Sequence, residues 1–124
     1  MNSNSSVELT KIAKSMELKN LTPDVDISTI VVTTPDINRP ALQLTGLFDH
    51  FDRERVQIIG YVEYTYLKSL DRDVKLANYE QFLSSDIPCV IYSTRTEPDE
   101  DMIELAKKYH KPLLSSHRIT SDLM

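Results

Sequence analysis

The chain has 124 residues, with 14 Lys and Arg against 19 Asp and Glu, and it contains one cysteine and two glycines. This length suits one domain with its own hydrophobic core, and a single cysteine cannot form an internal disulfide or a cysteine-based zinc site. The net charge of −5 makes nucleic acid an unfavourable partner, because the chain repels phosphates. The two glycines, Gly46 and Gly60, are too far apart for the glycine-rich loops that bind triphosphates and dinucleotides.

The first third of the chain predicts a helix followed by a strand. Ser5 and Glu8 have the spacing of a capping box, and apolar residues then recur every three or four positions, which predicts an amphipathic helix over 6–16. After a polar connection, the β-branched run within 28–33 is typical of a strand covered on both faces. We therefore expect 28–33 to be the first strand of the sheet.

A turn-rich loop and a short helix separate this strand from the next. Asn38 can cap a helix, Pro40 can open it and Gly46 can close it, which predicts a short helix at about 40–45. Residues 56–60, Val-Gln-Ile-Ile-Gly, then predict a short buried strand.

Two helices and a third strand follow. Residues 61–70 predict a helix that begins directly after the strand; the polar triplet 71–73 interrupts the pattern, and apolar residues then return at helical spacing up to residue 83. These segments predict a helical hairpin. The apolar run 88–92 is bounded by a proline and by hydroxyl side chains, and it predicts the third strand.

The next helix carries the clearest signals. Thr96 can cap it, Pro98 lies in its first turn, and acidic residues crowd its start while basic residues crowd its end, as the helix macrodipole favours. Residues 112–116 predict a fourth strand. Residues 119–124 are typical of the start of another helix.

Strands that alternate with helical segments predict an α/β fold, with a layered, mostly parallel sheet of about four strands flanked by helices. We expect residues 1–124 to form a single domain. No apolar run approaches the roughly 20 residues of a membrane helix, and the polar start lacks the features of an export signal. The sequence therefore predicts a cytoplasmic protein with no membrane and no nucleic acid among its partners.

Polar and basic residues cluster where the predicted strands end. Ligands of open α/β sheets bind outside the carboxyl ends of the strands, and arginines with hydroxyl neighbours can recognise an anion. The candidate ligand-binding residues are Asp36, Asn38, Arg39, Arg95, Ser115, Ser116 and Arg118. The same residue types also act as ordinary caps and ion pairs. For the first loop we favour an ion pair between Asp36 and Arg39 that rigidifies the turn before Pro40.

Other reactive residue types are better explained by structural roles. The carboxylates within 97–104 suit a helix start better than a metal site, and residues 115–117 alternate between the two faces of a strand, so they do not form a hydrolytic triad. Cys89 lies in an apolar strand, where a buried thiol is unreactive. The three tyrosines within 61–66 could stack on a base, but tyrosines in such a pattern more often lie partly buried on a helix face or contact a partner subunit. We expect no catalytic residue and no metal site.

Several blocks of sequence, spread along the chain, follow the order of a known family. One loop has Asp36-Ile37-Asn38-Arg39-Pro40-Ala41-Leu42, followed by Gly46-Leu47-Phe48, and further blocks lie at 55–60, 63–67, 88–91, 100–103 and 114–116. Together they resemble the N-terminal domain of bacterial HPr kinase/phosphorylase, whose first block is roughly Asp-Ile-x-Arg-Pro-Gly-Leu, three residues, then Gly and an aromatic residue. Ala41 stands where the family usually has Gly, and Pro35 where it usually has Ser or Thr.

The resemblance implies a cytoplasmic, homo-oligomeric enzyme of carbon catabolite repression. Such an enzyme uses ATP, or pyrophosphate, with magnesium to phosphorylate a serine of the protein HPr, and it removes that phosphate by phosphorolysis. Its catalytic machinery lies in a C-terminal domain with a P-loop, which the present sequence does not contain. The resemblance therefore implies no cofactor in this segment, a linker that starts at 117–124, and a fold similar to the N-terminal domain of murein ligases.

Two functions stay open at this point. The first is a non-catalytic domain that assembles or regulates the parent kinase/phosphorylase through contacts with its own catalytic domain and with other subunits. The alternative is a module that senses an anionic metabolite or nucleotide with Arg39, Arg95 and Arg118 at the strand ends. An autonomous enzyme would phosphorylate HPr by itself, and we expect no such transfer.

Overall fold

The computed structural model describes residues 6–34, 36–41, 43–46, 48 and 51–117, and it has an α/β fold. Within these residues the main sheet has five strands, which are β2 (Lys19–Asn20), β4 (Ile37–Asn38), β5 (Val56–Ile59), β6 (Val90–Tyr92) and β7 (Leu113–Ser115). The strands β1 (Val7–Glu8) and β3 (Val31–Val32) form a separate antiparallel ribbon. The helices are α1 (Leu9–Ser15), α2 (Tyr61–Lys68), α3 (Arg72–Leu83) and α4 (Glu100–Lys108), with a 3₁₀ helix at Gln43–Thr45.

The strands of the main sheet lie in the order β2-β7-β6-β5-β4. The four strands from β4 to β7 are parallel and are neighbours in the sheet in the order in which the chain makes them, while β2 pairs antiparallel with β7. The register aligns Ile59 with Tyr92 and Tyr92 with Ser115. The loops that leave β5, β6 and β7 therefore begin side by side at one edge of the sheet.

Each face of the sheet has its own apolar core, because successive side chains of a strand point in opposite directions. Tyr92 of β6 points to the face covered by α2, α3 and α4, where it belongs to a buried cluster with Phe82 and Met102. Its neighbour Ile91 points the other way and packs in a cluster that includes Leu9 of α1. The short strands are thus held between helices on both sides.

Helices α1 and α4 end in the same hydrogen-bonded arrangement. Two backbone N–H groups just beyond each helix donate to carbonyls of its last turns, in the pattern known as the Schellman motif. The motif needs one residue with positive φ, which is usually glycine. Glu17, at φ 55°, and His110, at φ 57°, occupy these positions. A chain with two glycines thus places side chains where the backbone disfavours them.

The second half of the chain folds as the sequence predicts. The runs 56–60, 88–92 and 112–116 contain β5, β6 and β7, and the predicted helical hairpin corresponds to α2 and α3. The mostly parallel α/β sheet is confirmed, with five strands where about four were expected. The described residues contain no helix that is long and apolar enough to cross a membrane. Residues 119–124 lie outside the described part of the chain.

The first third of the chain differs from the prediction. Helix α1 begins at Leu9, not at residue 6, because Val7–Glu8 pairs with Val31–Val32, and Glu8 is the N-cap. The expected capping Ser5 lies outside the described residues. The run 28–33 therefore contributes a ribbon strand, and the prediction that it is the first strand of the main sheet is wrong.

Two further corrections concern short elements and a helix start. The two-residue strands β2 and β4 have no sequence signal, and a 3₁₀ helix, Gln43–Thr45, stands in place of the helix expected at 40–45. Thr96 does not cap α4. The N-cap is Asp99, whose carboxylate accepts a hydrogen bond from the N–H of Met102 at 2.8 Å.

Candidate functional site

The candidate site lies where β5 leads into α2. Gly60 follows the last residue of β5 and is the N-cap of α2, so the chain passes from strand to helix within one residue. The carboxylate of Glu63, in the first turn of α2, accepts a hydrogen bond from the N–H of Gly60 at 2.8 Å. A carboxylate at this place satisfies a backbone donor and is stabilised by the positive end of the helix dipole.

Arg39 is bound to the same carboxylate. Its Nη2 lies 2.9 Å from Oε1 of Glu63, which is 3% exposed, whereas the Arg39 side chain is 33% exposed. A Cβ at Gly60 would overlap the guanidinium, so the absence of a side chain makes room for this contact. The ion pair joins the loop after β4 to the first turn of α2 and compensates the charge of a buried carboxylate.

Arg95 lies on the outer side of the same turn. Its guanidinium carbon is 5.5 Å from the centroid of the Tyr61 ring, which is within the range of a cation–π contact. The turn that carries it is closed by Thr96, whose N–H and hydroxyl both donate to the carbonyl of Ser93, at 3.1 and 2.7 Å. Arg95 itself has φ 70°, a backbone conformation that is unusual outside glycine.

Two polar atoms of this edge are buried without a hydrogen bond. The hydroxyl of Ser93 and Nε of Arg39 have no partner within the described part of the chain, and Ser93 is 1% exposed. Because Ile59 pairs with Tyr92, the next residues, Gly60 and Ser93, are neighbours across the sheet. Both atoms without a hydrogen-bond partner therefore lie near the start of α2, at the edge of the sheet where β5 and β6 end.

The structure brings together only some of the predicted ligand-binding residues. Arg39 and Arg95 lie on two sides of the first turn of α2. Ser115 and Ser116 lie at the end of β7, with β6 between them and β5, and the N–H of Ser116 donates to the carbonyl of Tyr92. Arg118 lies outside the described residues.

Asp36 lies elsewhere, and its expected ion pair with Arg39 is wrong. Asp36 precedes β4 and lies at the opposite, amino-terminal edge of the sheet, where its carboxylate is 3.9 Å from Arg55. The sequence pattern places Asp36 in a loop after a strand. Because the strand of the main sheet begins at Ile37, Asp36 and Arg39 are separated by the length of β4, and Arg39 pairs with Glu63.

Asn38 has a structural role. Its amide donates to the side-chain oxygens of Gln57, at 2.7 Å, and Gln43, at 3.3 Å. The Gln57 amide in turn donates to the carbonyls of Asp52 and Arg55. This network ties the 3₁₀ helix and the loop before β5 to the sheet, so Asn38 has no donor directed at the candidate site.

Two structural interpretations of the sequence are confirmed. Cys89 is fully buried, and burial raises the pKa of its thiol to about 12, as expected of a residue that packs and does not react. The acidic residues Asp99, Glu100 and Asp101 form the N-cap and first turn of α4. Their position is the one that the helix dipole favours.

The sequence reasoning missed the role of Glu63. Its pairing with Arg39 spans 24 positions of sequence, and no local pattern indicates it. A weaker signal exists, because a glycine directly after a buried strand, followed three residues later by a glutamate, has the spacing of a capping box. Gly60 and Glu63 have this spacing.

Three exposed residues of α2, Tyr61, Val62 and Tyr66, form a surface that we name the α2 face. Their exposed fractions are 54%, 67% and 37%. Scattered apolar residues are normal on a protein surface, but three exposed apolar or aromatic residues on one helix of eight are a concentration that suits contact with other molecules. The two tyrosines supply aromatic area of the type enriched in interfaces.

Comparison with known proteins places these features in a family. The sequence pattern described as "HPr Serine kinase N terminus" matches residues 7–124 of the chain. The chain belongs to this family. The matched range contains the blocks of sequence around Arg39, Gly60 and Glu63, and the resemblance noted in the sequence is confirmed.

Relatives of this family member include longer proteins named HPr kinase/phosphorylase. The one from Lachnoclostridium phytofermentans is 44% identical over 118 residues, which cover 95% of this chain and 38% of that protein. The one from Caldicellulosiruptor bescii is 40% identical over 114 residues, covering 92% of this chain and 37% of that protein. The chain spans less than two-fifths of the length of either relative.

A solved structure has a similar fold. The CBS and DRTGG domains of the regulatory region of Clostridium perfringens pyrophosphatase, complexed with the activator diadenosine tetraphosphate, superpose with a TM-score of 0.60 at 16% sequence identity. The match covers 94% of this chain and 44% of that one. At this identity the likeness concerns the fold alone.

Proposed function

We propose that this chain is a non-catalytic assembly or regulatory domain of a bifunctional HPr serine kinase/phosphorylase. The parent enzyme would act in carbon catabolite repression, phosphorylating a serine of HPr with ATP and magnesium and removing the phosphate by phosphorolysis. ATP and magnesium would bind to the remainder of the enzyme. Membership of the family and the shared segment of the longer relatives support this proposal.

The observation that carries the proposal is the α2 face. Val62 is the most exposed large apolar residue of the described chain, and it lies between two exposed tyrosines on a short helix. A domain that contributes no reactive group to the enzyme would act through such a surface, by contacting the catalytic domain or another subunit. We propose these as the partners of the α2 face.

A chimaera tests the proposal. This chain would replace the matching segment of the Lachnoclostridium phytofermentans relative, and oligomeric state and HPr phosphorylation would be measured with and without Val62→Asp. We expect Val62→Asp to weaken assembly or alter regulation, whereas Val31→Asp, at a residue exposed to 46% on the β1/β3 ribbon, leaves both unchanged. The chain alone, with ATP, magnesium and HPr, should yield no phosphoserine. Unchanged assembly and regulation in the Val62→Asp chimaera would contradict the proposal.

A second candidate function is the sensing of an anionic metabolite or nucleotide at the edge around α2. Arg95 supports it, because its guanidinium forms no ion pair with the described residues and its backbone is held at φ 70°. Calorimetry against sugar phosphates and uridine nucleotides tests this idea. Saturable heat that is lost with Arg95→Ala supports sensing, and the absence of heat from every compound refutes it.

A further inference from the structure

The two buried polar atoms that lack a hydrogen-bond partner among the described residues, Oγ of Ser93 and Nε of Arg39, lie on the same side of the sheet. Gly60 and Ser93 are neighbours across β5 and β6, and the backbone of Gly60 is extended. Neighbouring residues of parallel strands direct their side chains to the same face, and the strands are about 4.8 Å apart. A Cβ at Gly60 would overlap the guanidinium of Arg39, so the guanidinium lies on that face. The Ser93 side chain therefore points to the side on which the guanidinium lies, one strand away.

The carboxylate of Glu63 uses only part of the donor set at this place. Its Oε1 accepts a hydrogen bond from the N–H of Gly60 at 2.8 Å and another from Nη2 of Arg39 at 2.9 Å. A guanidinium can bind two oxygens of one group through adjacent N–H groups, but Nε of Arg39 has no acceptor among the described residues. With the Ser93 hydroxyl the set contains four donors, and one oxygen of Glu63 satisfies two of them.

We propose that Glu63 occupies, and thereby closes, a binding site for a phosphate group. With the Glu63 carboxylate turned away, the phosphate accepts hydrogen bonds from the N–H of Gly60, from two nitrogens of Arg39 and from the hydroxyl of Ser93. Phosphate suits this set better than a carboxylate, because its tetrahedral oxygens point in several directions. The start of α2 favours an anion in addition, since the positive end of the helix dipole lies there.

The side chain of Glu63 can leave this place without disturbing the helix. Its two hydrogen bonds go to the N–H of Gly60 and to Arg39, so turning it outward breaks no hydrogen bond between backbone groups of α2. The carboxylate, which is 3% exposed, then regains its hydration. The Arg39 side chain is 33% exposed, so a ligand reaches the site from that side. Glu63 thus competes with the ligand, and the unsubstituted chain should bind phosphate weakly.

This proposal rests on the second candidate function, because it names the ligand class of the same edge and the group that keeps the ligand out. It does not depend on contact through the α2 face. The titration below uses the 124-residue chain alone, so its result and that of the chimaera are separate. If the unsubstituted chain gives no heat with any compound but the Glu63→Ala chain binds phosphate, sensing by the native chain is refuted and the closed site is supported.

Titration of the Glu63→Ala chain with inorganic phosphate, phenyl phosphate and acetate tests the site, with chloride at matched ionic strength as the reference. We expect saturable chemical-shift changes around Gly60 and Ser93. Because the internal competitor is gone, the affinity for phosphate should exceed that of the unsubstituted chain by about ten-fold or more. Binding of both phosphate probes assigns the site to the phosphate group itself, and binding of phenyl phosphate alone assigns it to a phosphate monoester.

A second substitution in the Glu63→Ala chain tests the hydroxyl. Hydrogen bonds to charged groups are among the stronger ones, so Ser93→Ala should weaken phosphate binding by about ten-fold. Ser84→Ala, at the exposed C-cap of α3, is the matched control and should leave the affinity unchanged. In the unsubstituted chain Ser93→Ala removes a hydroxyl without a partner among the described residues, so it should not lower the midpoint of urea unfolding.

Three results would overturn the site. These are no saturable binding of phosphate by the Glu63→Ala chain, equal binding of acetate, and an affinity that Ser93→Ala leaves unchanged. Equal binding of acetate would show that acetate merely replaces the lost carboxylate and that the two additional donors contribute nothing. If Glu63→Ala fails to fold, Glu63→Gln takes its place, because its amide oxygen still accepts the N–H of Gly60. Its affinity for phosphate, relative to that of the unsubstituted chain, then decides the question.

Discussion

Replacing Glu63 by alanine tests whether the ion pair at the start of α2 stabilises the fold. The substitution leaves the buried N–H of Gly60 without its acceptor, which costs about 1–3 kcal/mol. It also removes the partner of Arg39. Breaking a fully buried pair costs about 3–5 kcal/mol, but the Arg39 side chain is one-third exposed and can be hydrated, so we take about 1 kcal/mol for this part. The expected loss is about 3 kcal/mol.

Glu63→Gln separates the two contributions. The amide oxygen can still accept the N–H of Gly60, while the charge opposite Arg39 is lost, so we expect a loss of about 1 kcal/mol. Urea unfolding followed by circular dichroism measures both variants, with exposed Glu104→Ala as a control that should change stability by less than about 0.5 kcal/mol. A double-mutant cycle of Glu63→Gln with Arg39→Met then isolates the coupling.

A cost of less than about 1 kcal/mol for Glu63→Ala would refute the stabilising role of Glu63, because that is the lower limit for an unsatisfied buried donor. Equal losses for Glu63→Gln and Glu63→Ala would refute it too, because the capping hydrogen bond would then contribute nothing. Additive effects in the double-mutant cycle would show that Arg39 and Glu63 are not coupled, and the proximity of their side chains would be incidental to stability.

Three further outcomes follow from the geometry. Glu17→Gly and His110→Gly should each stabilise the chain by about 0.5 kcal/mol in urea unfolding. Each substitution relieves about 1–2 kcal/mol of left-handed backbone strain, which exceeds the about 0.4–1 kcal/mol that the greater entropy of glycine adds to the unfolded chain. Destabilisation by either substitution would contradict this. The hydrogen bond from Arg72 lowers the pKa of Asp101, so an NMR titration of Arg72→Met should show that pKa rising towards its ordinary value. Because its pKa is near 12, the Cys89 thiol should react with a thiol reagent at pH 8 only in unfolding conditions, and rapid labelling of the native chain would refute its burial.

The predictable part of the fold is the part whose signals are local. β5, β6 and β7 come from short, mainly apolar runs that are largely buried, and α4 carries charges at both ends that match its dipole. By contrast, the strands β1, β2 and β4 have two residues each. Such strands exist because a partner strand is present, and hydrophobic periodicity has no signal at that length.

The error at 28–33 shows how tertiary context changes the meaning of a pattern. The β-branched run indicates a strand, and Val31–Val32 is one, but only Val32 packs in the core while Val31 is 46% exposed. The partner is β1, which the sequence pattern assigns to a helix. Placing β3 in the ribbon shifts the main-sheet strand to Ile37–Asn38, and this shift moves Asp36 to the opposite edge from Arg39.

The position of Glu63 decides whether an anion can bind at the start of α2, next to the end of β5. The start of a helix after a parallel strand is where backbone N–H groups commonly bind phosphate. Here the chain's own carboxylate takes the N–H of Gly60 and the guanidinium of Arg39, so a phosphate at this turn would have to displace a buried group of the same charge sign. An anion would therefore meet Arg95 on the outside of the turn, in a contact that salt weakens. Contact through the α2 face needs no such displacement, which is why we place assembly before sensing.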